Sequence, residues 1–299
     1  MSVPDKCVSV IGCGNMGSKI ARVLAGSRFT WAWNRNAARV DRLAPFGVHR
    51  AGSAGSAVAV SRTVLLVLAD YEAAEAVLAE VPASAFEGTT FVNLITGTVT
   101  EATRFAQFIN QRGGDYLEGS IWATPSMIGD PGTVIACSGR ESVYLESRSV
   151  LRTLGGASCF LGAEVGLANV MEAGFPGAFC MAAHAAFAQL ARTAADSGAS
   201  WDAIAAAVEP AVDLLAKSLH ESVARLSKGA HETDQASIDV YLAAALKYDQ
   251  TLRDGRGNAS SPFIGALISV LRKASGDGFG ELGPSALGVD RAFRSQPNT

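Results

Sequence analysis

The chain has 299 residues, 48% of them hydrophobic and 18% charged, with a formal net charge of −3. That length holds one large domain or two ordinary ones around a sizeable core, and the mild acidity argues against a nucleic-acid binder, which carries a basic face. No stretch of about 18 apolar residues is present to cross a membrane, and the first residues lead straight into an apolar run, so a cytoplasmic protein without a signal peptide is expected.

The five cysteines (Cys7, Cys13, Cys137, Cys159, Cys180) are scattered through apolar or Gly-rich settings. An odd count with no Cys-x-x-Cys pair reads as reduced thiols, not a disulfide framework. The four histidines, His49, His184, His220 and His231, lack metal-ligand spacing, so no metal is expected.

Along the chain, Val8, Val10 and Ile11 form a short apolar run suited to a buried strand. Gly12, Gly14 and Gly17 follow, and then Ile20, Ala21, Leu24 and Ala25 recur at helical spacing. Between a strand and a helix, Gly-x-Gly-x-x-Gly reads as a dinucleotide-binding turn. Gly12 permits the tight turn, Gly14 lets the backbone approach a pyrophosphate, and Gly17 lets the helix pack closely on the strand. The helix start at Cys13, Asn15 and Met16 then offers free N–H groups and a positive dipole end to phosphate.

The aromatic run Phe29–Trp33 reads as a second strand, ending at Asn34-Arg35-Asn36. Where NAD is the cofactor, an acidic residue about 20 positions beyond the glycines accepts hydrogen bonds from the ribose 2′-hydroxyl. Here Asn34 replaces the acid and Arg35 follows. A carboxylate repels a 2′-phosphate, whereas an amide and a guanidinium accept it. The pattern predicts NADPH.

Residues 62–68 form a continuous apolar run, as in a parallel strand buried on both faces. Helical patterning over 73–78 and 101–111 alternates with strands over 90–94 and 115–118, which predicts a doubly wound parallel sheet. Ligands bind such sheets outside the carboxyl ends of the strands, which adds Leu68, Asn93 and Thr96 to the expected cofactor contacts. Residues 119–132 read as a loop with an unusual apolar content, including Ile121, Trp122, Ala123, Met127 and Ile128. They wall an apolar substrate pocket beside the nicotinamide or cover the sheet edge. A strand over 133–137, a helix over Glu141–Leu154 and a strand over 158–161 complete a first domain of residues 1–162.

Beyond Gly162 the strand pattern stops, and an all-α domain of residues 163–299 is expected. An Ala-rich helix over about 166–197 joins the two domains. It is apolar on every side, which calls for cover all round and hence a partner subunit. Pro176, between Gly174 and Gly177, predicts a kink. Further helices are expected over 201–209, 212–226, 234–254 and 262–275, with a short one over 286–293 and a fraying tail over 296–299.

The Gly-x-Gly-x-Met-Gly turn, the Asn34-Arg35-Asn36 strand end and the helical second half resemble the β-hydroxyacid dehydrogenase superfamily. Val92-Asn93-Leu94-Ile95-Thr96-Gly97-Thr98 and Ala123-Thr124-Pro125-Ser126-Met127-Ile128-Gly129 are most similar to the NADPH-dependent imine reductases within it, and the resemblance spans essentially the whole chain. It implies hydride transfer from NADPH to the C=N carbon of an imine or iminium. It also implies an interwoven homodimer in which one subunit's C-terminal half completes the other's active site, with Tyr241 a candidate contribution across the interface. The hydroxyacid enzymes carry a polar Asp-Ala-Pro-Val-Ser-Gly-Gly loop, where this chain has residues 118–124 with Trp122 and Ala123. They also carry a catalytic lysine six residues after a glycine, and counting from Gly166 leads here to Glu172.

An acid at that position defeats alcohol oxidation by the usual route and suits a substrate that becomes a cation. Ionised, Glu172 stabilises an iminium. Protonated, with its acidity lowered by Val170, Met171 and Phe175, it serves as general acid. Imine reductases usually place Asp or Tyr here, so Glu is a departure that lengthens the reach by one methylene. Asn169, one turn earlier on the same helix face, orients Glu172 or bonds substrate. Phe175 and Tyr241 join Ile121, Trp122, Ala123 and Met127 as candidate pocket residues. Two alternatives stay open: a β-hydroxyacid dehydrogenase or related carbonyl reductase, and a non-catalytic NADPH-binding sensor. No nucleic-acid or membrane partner is expected.

Overall fold

The computed structural model describes residues 7–254 and 261–289, and the chain divides into two compact units, Met1–Cys180 and Met181–Thr299. The first unit alternates strands and helices: β1 Cys7–Ile11, α1 Asn15–Ala25, β2 Phe29–Trp33, α2 Ala37–Asp41, β3 Val48–Arg50, α3 Ala54–Ala59, β4 Thr63–Leu66 and α4 Tyr71–Ala79. It continues with β5 Thr90–Asn93, α5 Val99–Asn110, β6 Asp115–Trp122, β7 Val134–Gly139, α6 Glu141–Leu154, β8 Cys159–Gly162 and α7 Leu167–Glu172.

The eight strands form one sheet in the order β3-β2-β1-β4-β5-β6-β7-β8. The doubly wound sheet expected from the sequence is present, with one departure. β6 and β7 pair antiparallel, while the other neighbours are parallel. The hairpin also corrects the expected loop over 119–132. β6 runs on to Trp122, because Ser120, Ile121 and Trp122 face Ala136, Ile135 and Val134 across the ladder and so satisfy their backbone groups.

Strand alternation sends side chains to two cores. Val8, Val10, Leu65, Val92 and Leu117 pack with Ile20 and Leu24 of α1 and Leu151 and Leu154 of α6. Ile11, Val64, Leu66, Phe91 and Tyr116 pack with Val58, Leu78, Phe105 and Ile109 of α3, α4 and α5. Side-chain caps fix several helix starts. Asp70 accepts the Ala73 N–H, and Thr98 and Glu101 form a reciprocal capping box.

The first compact unit extends past residue 162, where the sequence suggests the domain boundary. α7 packs on β6 and β7, and Ser138 Oγ accepts the Ala168 N–H at 3.0 Å. The expected helical run over 166–197 comprises α7, a π-helical stretch Ala173–Cys180 that contains Pro176, and α8 Met181–Asp196. Pro176 has no N–H for the ordinary ladder, and such wide turns form where that ladder is interrupted.

The second unit holds α8, α9 Trp201–Leu226, α10 Ile238–Asp254 and α11 Pro262–Ala274. The expected break between 209 and 212 is absent, since Pro210 lies inside α9. The strong helix formers around it carry the helix past one missing hydrogen bond. The short helix expected over 286–293 is a 3-10 turn, Pro284–Gly288, and residues 290–293 and the tail over 296–299 lie outside the described residues. Ile238, Ala245, Ile268, Leu271, Phe279 and Ala286 form this unit's core. α9 contributes no buried residue.

Candidate functional site

A cavity of about 1770 Å³ in the first unit takes in the carboxyl ends of β1, β2 and β4 and runs on to Arg62 and Thr89, ahead of β4 and β5. Gly12, Gly14, Asn15, Met16, Asn34, Arg35 and Leu68 line it, as the sequence suggests for a dinucleotide. The three motif glycines divide the work as their spacing requires. Gly12 has φ +100°, and a Cβ there would lie 2.2 Å from the Val67 carbonyl oxygen. A Cβ on Gly17 would lie 1.9 Å from the Gly12 oxygen, so α1 seats directly on the turn. A Cβ on Gly14 would meet nothing within 4 Å. The space there is open to a ligand, at a helix start with no side-chain cap and no acidic residue in its first turn. A bound pyrophosphate fits this cradle of free N–H groups.

The two residues at the end of β2 differ in what they offer. The Asn34 amide is spent within the protein. Its Oδ1 accepts the Cys13 N–H at 2.9 Å, and its Nδ2 donates to the Asn36 carbonyl at 3.0 Å. It fixes the distance between turn and strand end. The Arg35 guanidinium is exposed and makes no hydrogen bond or ion pair to a described residue. Arg39, also exposed, lines the same cavity one turn into α2. The sequence reading missed Arg39, although its place four residues beyond Arg35 was the available signal. Cys13, expected from the sequence to offer a free N–H to the phosphates, has that N–H taken by Asn34. Its side chain is buried, and burial pushes the thiol up to about 11 against the pull of Arg39.

Asn93 and Thr96 do not line this cavity. They belong to a polar constellation beyond β5, together with α7. Thr96 Oγ1 donates to Glu172 Oε1 at 2.9 Å. Glu172 is half-buried, and burial raises its carboxyl above the usual range despite that hydrogen bond. Asn169, buried one turn before it, donates from Nδ2 to the Gly97 carbonyl at 3.1 Å and to the Tyr71 hydroxyl at 3.3 Å. Asn169 thus anchors the acid's helix to the residue next to Thr96.

Beneath lies Glu118, which the sequence reading did not single out. It is 1% exposed in the middle of β6. Tyr71 donates to its Oε1 at 2.8 Å, Asn93 Nδ2 donates to both oxygens at 3.1 and 3.3 Å, and the Tyr116 hydroxyl donates to Oε2. Burial pushes this carboxyl up to about 7, with the four donors Tyr116, Tyr71, Asn93 and Asn169 pulling the other way.

Of the candidate pocket residues, Trp122 and Phe175 meet as a stacked pair with centroids 5.9 Å apart. Trp122 Nε1 donates to Ser120 Oγ at 2.9 Å, which fixes the ring. Ile121 and Ala123 pack against the sheet core instead. Met127 is exposed in a 3-10 turn. Tyr241 lies on α10, in the second unit.

The domain model described as the NAD binding domain of 6-phosphogluconate dehydrogenase matches residues 7–166. An NADPH-dependent reductive aminase of Aspergillus oryzae is 26% identical over 95% of this chain and 96% of its own length. An imine reductase structure from Pseudomonas sp. superposes with a TM-score of 0.84 at 30% identity, covering 94% of this chain and 98% of that one. A reductive aminase from Aspergillus terreus, in complex with NADPH and ethyl-5-oxohexanoate, superposes with a TM-score of 0.83 at 27% identity over 95% and 98% of the two chains.

Proposed function

The chain belongs to the imine reductases of the 6-phosphogluconate dehydrogenase-like superfamily, and on that premise we propose how its residues carry out the reaction. The protein is an oxidoreductase that transfers hydride from NADPH to the C=N carbon of an imine or iminium and yields an amine. NADPH supplies the hydride when bound. The open cradle at Gly14 and the unpaired guanidinium groups of Arg35 and Arg39 fit its pyrophosphate and 2′-phosphate. The backbone N–H groups of Asn15 and Met16 serve the phosphates, whereas that of Cys13 is already given to Asn34. Leu68 covers the cleft wall, and Asn34 holds the turn in register.

One observation carries the chemistry: the half-buried Glu172 carboxyl, held by Thr96, has no ion-pair partner among the described residues. A lysine there would repel an iminium, whereas a carboxylate attracts it. Burial also keeps part of the population protonated above the usual glutamate range. In that form the Oε–H delivers a proton to the nitrogen of a neutral imine, which makes the carbon a better hydride acceptor. Asn169 keeps Glu172 on its helix face, and Trp122 with Phe175 forms an aromatic wall for the substrate.

The active protein in this reading is a homodimer. α9 leaves Leu214 71% exposed and Val223 64% exposed with no cover among the described residues of its own unit, and Tyr241 serves the partner's pocket.

Glu172→Gln tests the assignment. With a neutral cyclic imine, NADPH oxidation should fall by roughly 10²- to 10⁴-fold, the range for loss of a general acid. With a permanently charged N-alkyl iminium the loss should be smaller. Full activity of the variant would remove Glu172 from the mechanism. Turnover of 3-hydroxy acids alone by the native protein would overturn the whole reading.

A further inference from the structure

Glu118 is a carboxyl in the interior of the first unit with no counter-ion among the described residues. The titratable and polar groups that face it are Tyr71 from α4, Asn93 from β5, Tyr116 from its own strand, Cys137 from β7 and Asn169 from α7. No lysine, arginine or histidine pairs with it among the described residues. A buried carboxylate in such surroundings costs several kcal/mol unless hydrogen bonds offset the cost, and a packed apolar side chain would serve the core better. The arrangement therefore calls for a reason beyond stability.

The donors point to one. Two tyrosine hydroxyls and two amide nitrogens aim at the carboxylate oxygens, a set suited to the ionised form. The same groups reach the reaction centre from two sides. Asn169 Nδ2 sits between Tyr71 Oη, Gly97 O and, at 3.5 Å, Glu118 Oε1. Gly97 follows Thr96, which holds Glu172, and Asn169 lies one turn before Glu172 on α7. Both supports of Glu172, its helix and its hydroxyl donor, are thus tied to groups that the Glu118 carboxylate orients. The amide oxygens of Asn93 and Asn169 are buried and have no donor among the described residues. Protonation of Glu118 would turn an amide toward its new O–H and release a nitrogen from the cluster.

We propose that Glu118 is a positioning residue for the reduction, whose ionised carboxylate holds Tyr71, Asn93 and Asn169 so that Glu172 and Thr96 keep their working geometry. The proposal rests on the imine-reductase reading above. Because burial pushes the Glu118 carboxyl up to about 7, its effect should be visible as an acid limb in turnover near pH 7.

The test is a kcat–pH profile with a preformed N-alkyl cyclic iminium, whose charge does not change with pH. It is run on the native protein, Glu118→Gln and Tyr71→Phe, beside an NMR titration of ¹³C-carboxyl-labelled glutamate in each. The native protein should show an acid limb that coincides with one carboxyl titrating near pH 7. Glu118→Gln should abolish both and lower kcat by roughly 10- to 100-fold, the scale of a displaced reacting group, while NADPH binding changes little. Tyr71→Phe removes a donor that favours the ionised form, so limb and NMR signal should move together to higher pH. A limb that stays in place in both variants while the NMR signal vanishes or shifts overturns the proposal, and assigns the limb to Glu172. Failure of the underlying reading looks different: the native protein then oxidises no NADPH with the iminium at any pH, and the proposal goes with it.

Discussion

At the scale of single residues, Glu118 sets function against stability. A free glutamate titrates near 4.5 and this one near 7. Between those values the folded protein holds a proton that the unfolded chain has released, so stability falls as pH rises across that window, by on the order of 3 kcal/mol. The contribution is fully present below about pH 4.5 and lost above about 7. Glu118→Gln mimics the protonated side chain, and the unpartnered Asn93 Oδ1 can receive its new N–H. The variant should therefore melt higher than the native protein at pH 8 and close to it at pH 5, while reducing imines more slowly. A variant that melts lower at both values would mean that the carboxylate stabilises the fold. The arginines proposed to hold the cofactor, Arg35 and Arg39, make the opposite kind of residue, exposed and paired with nothing among the described residues. Arg35→Ala should raise the KM for NADPH roughly 10- to 100-fold, the worth of a charge-assisted hydrogen bond at about 1.5–3 kcal/mol, and leave the KM for NADH nearly unchanged. Equal losses with both cofactors would place Arg35 away from the 2′-phosphate.

Among the elements, the turn from β1 to α1 separates structural from functional glycine. Gly17 touches protein and Gly14 touches nothing. Gly17→Ala forces a Cβ against the Gly12 carbonyl and should cost at least about 1–3 kcal/mol. Gly14→Ala fits its φ of −70°, so it should cost no more than about 1 kcal/mol of N-cap preference yet weaken NADPH binding, because the methyl stands where the pyrophosphate approaches. Thermal melts with and without NADPH distinguish the two, and equal destabilisation of both apo proteins would contradict the assignment. This turn was legible in the sequence because its geometry is local: three glycines between an apolar run and a helical pattern. The central strands were legible for the same reason, being apolar throughout. The short elements α2, β3 and α3 were not, because three to six residues hold too little periodicity to register. The second half of β6 reads as loop in the sequence because its order comes from β7. Pro210 was misread as a break because propensity yields to its helical surroundings. The Glu118 cluster was hidden for a related reason. Its members come from α4, β5, β6 and α7, and nothing local in the chain says that two tyrosines and two asparagines converge on one carboxyl. A charged residue in the middle of an apolar strand was the available hint.

The whole molecule poses a question that the first unit alone does not. The candidate cofactor contacts lie in the first unit, whereas the second carries a small core and a long helix, α9, without buried residues. Isolated helices gain little from propensity and depend on packing. α9 exposes Val212, Leu214, Leu215, Leu219 and Val223 along its length, which is apolar area worth about 25 cal/mol per Å² once covered. A second copy of the chain is the cover we propose. Leu219 and Val223 lie one turn apart on the same side of α9, so replacing both by lysine puts two charges into that face, and a buried unpaired charge costs several kcal/mol. The double variant should sediment as a monomer. NADPH should still quench its tryptophan fluorescence with near-native affinity, since the turn, Arg35 and Arg39 are untouched. Imine reduction should drop below about a tenth of the native rate, since the pocket then lacks its partner. A native protein that sediments as a monomer with full turnover would break this account. So would a monomeric double variant that retains native turnover, because either result would show that one copy suffices for the chemistry.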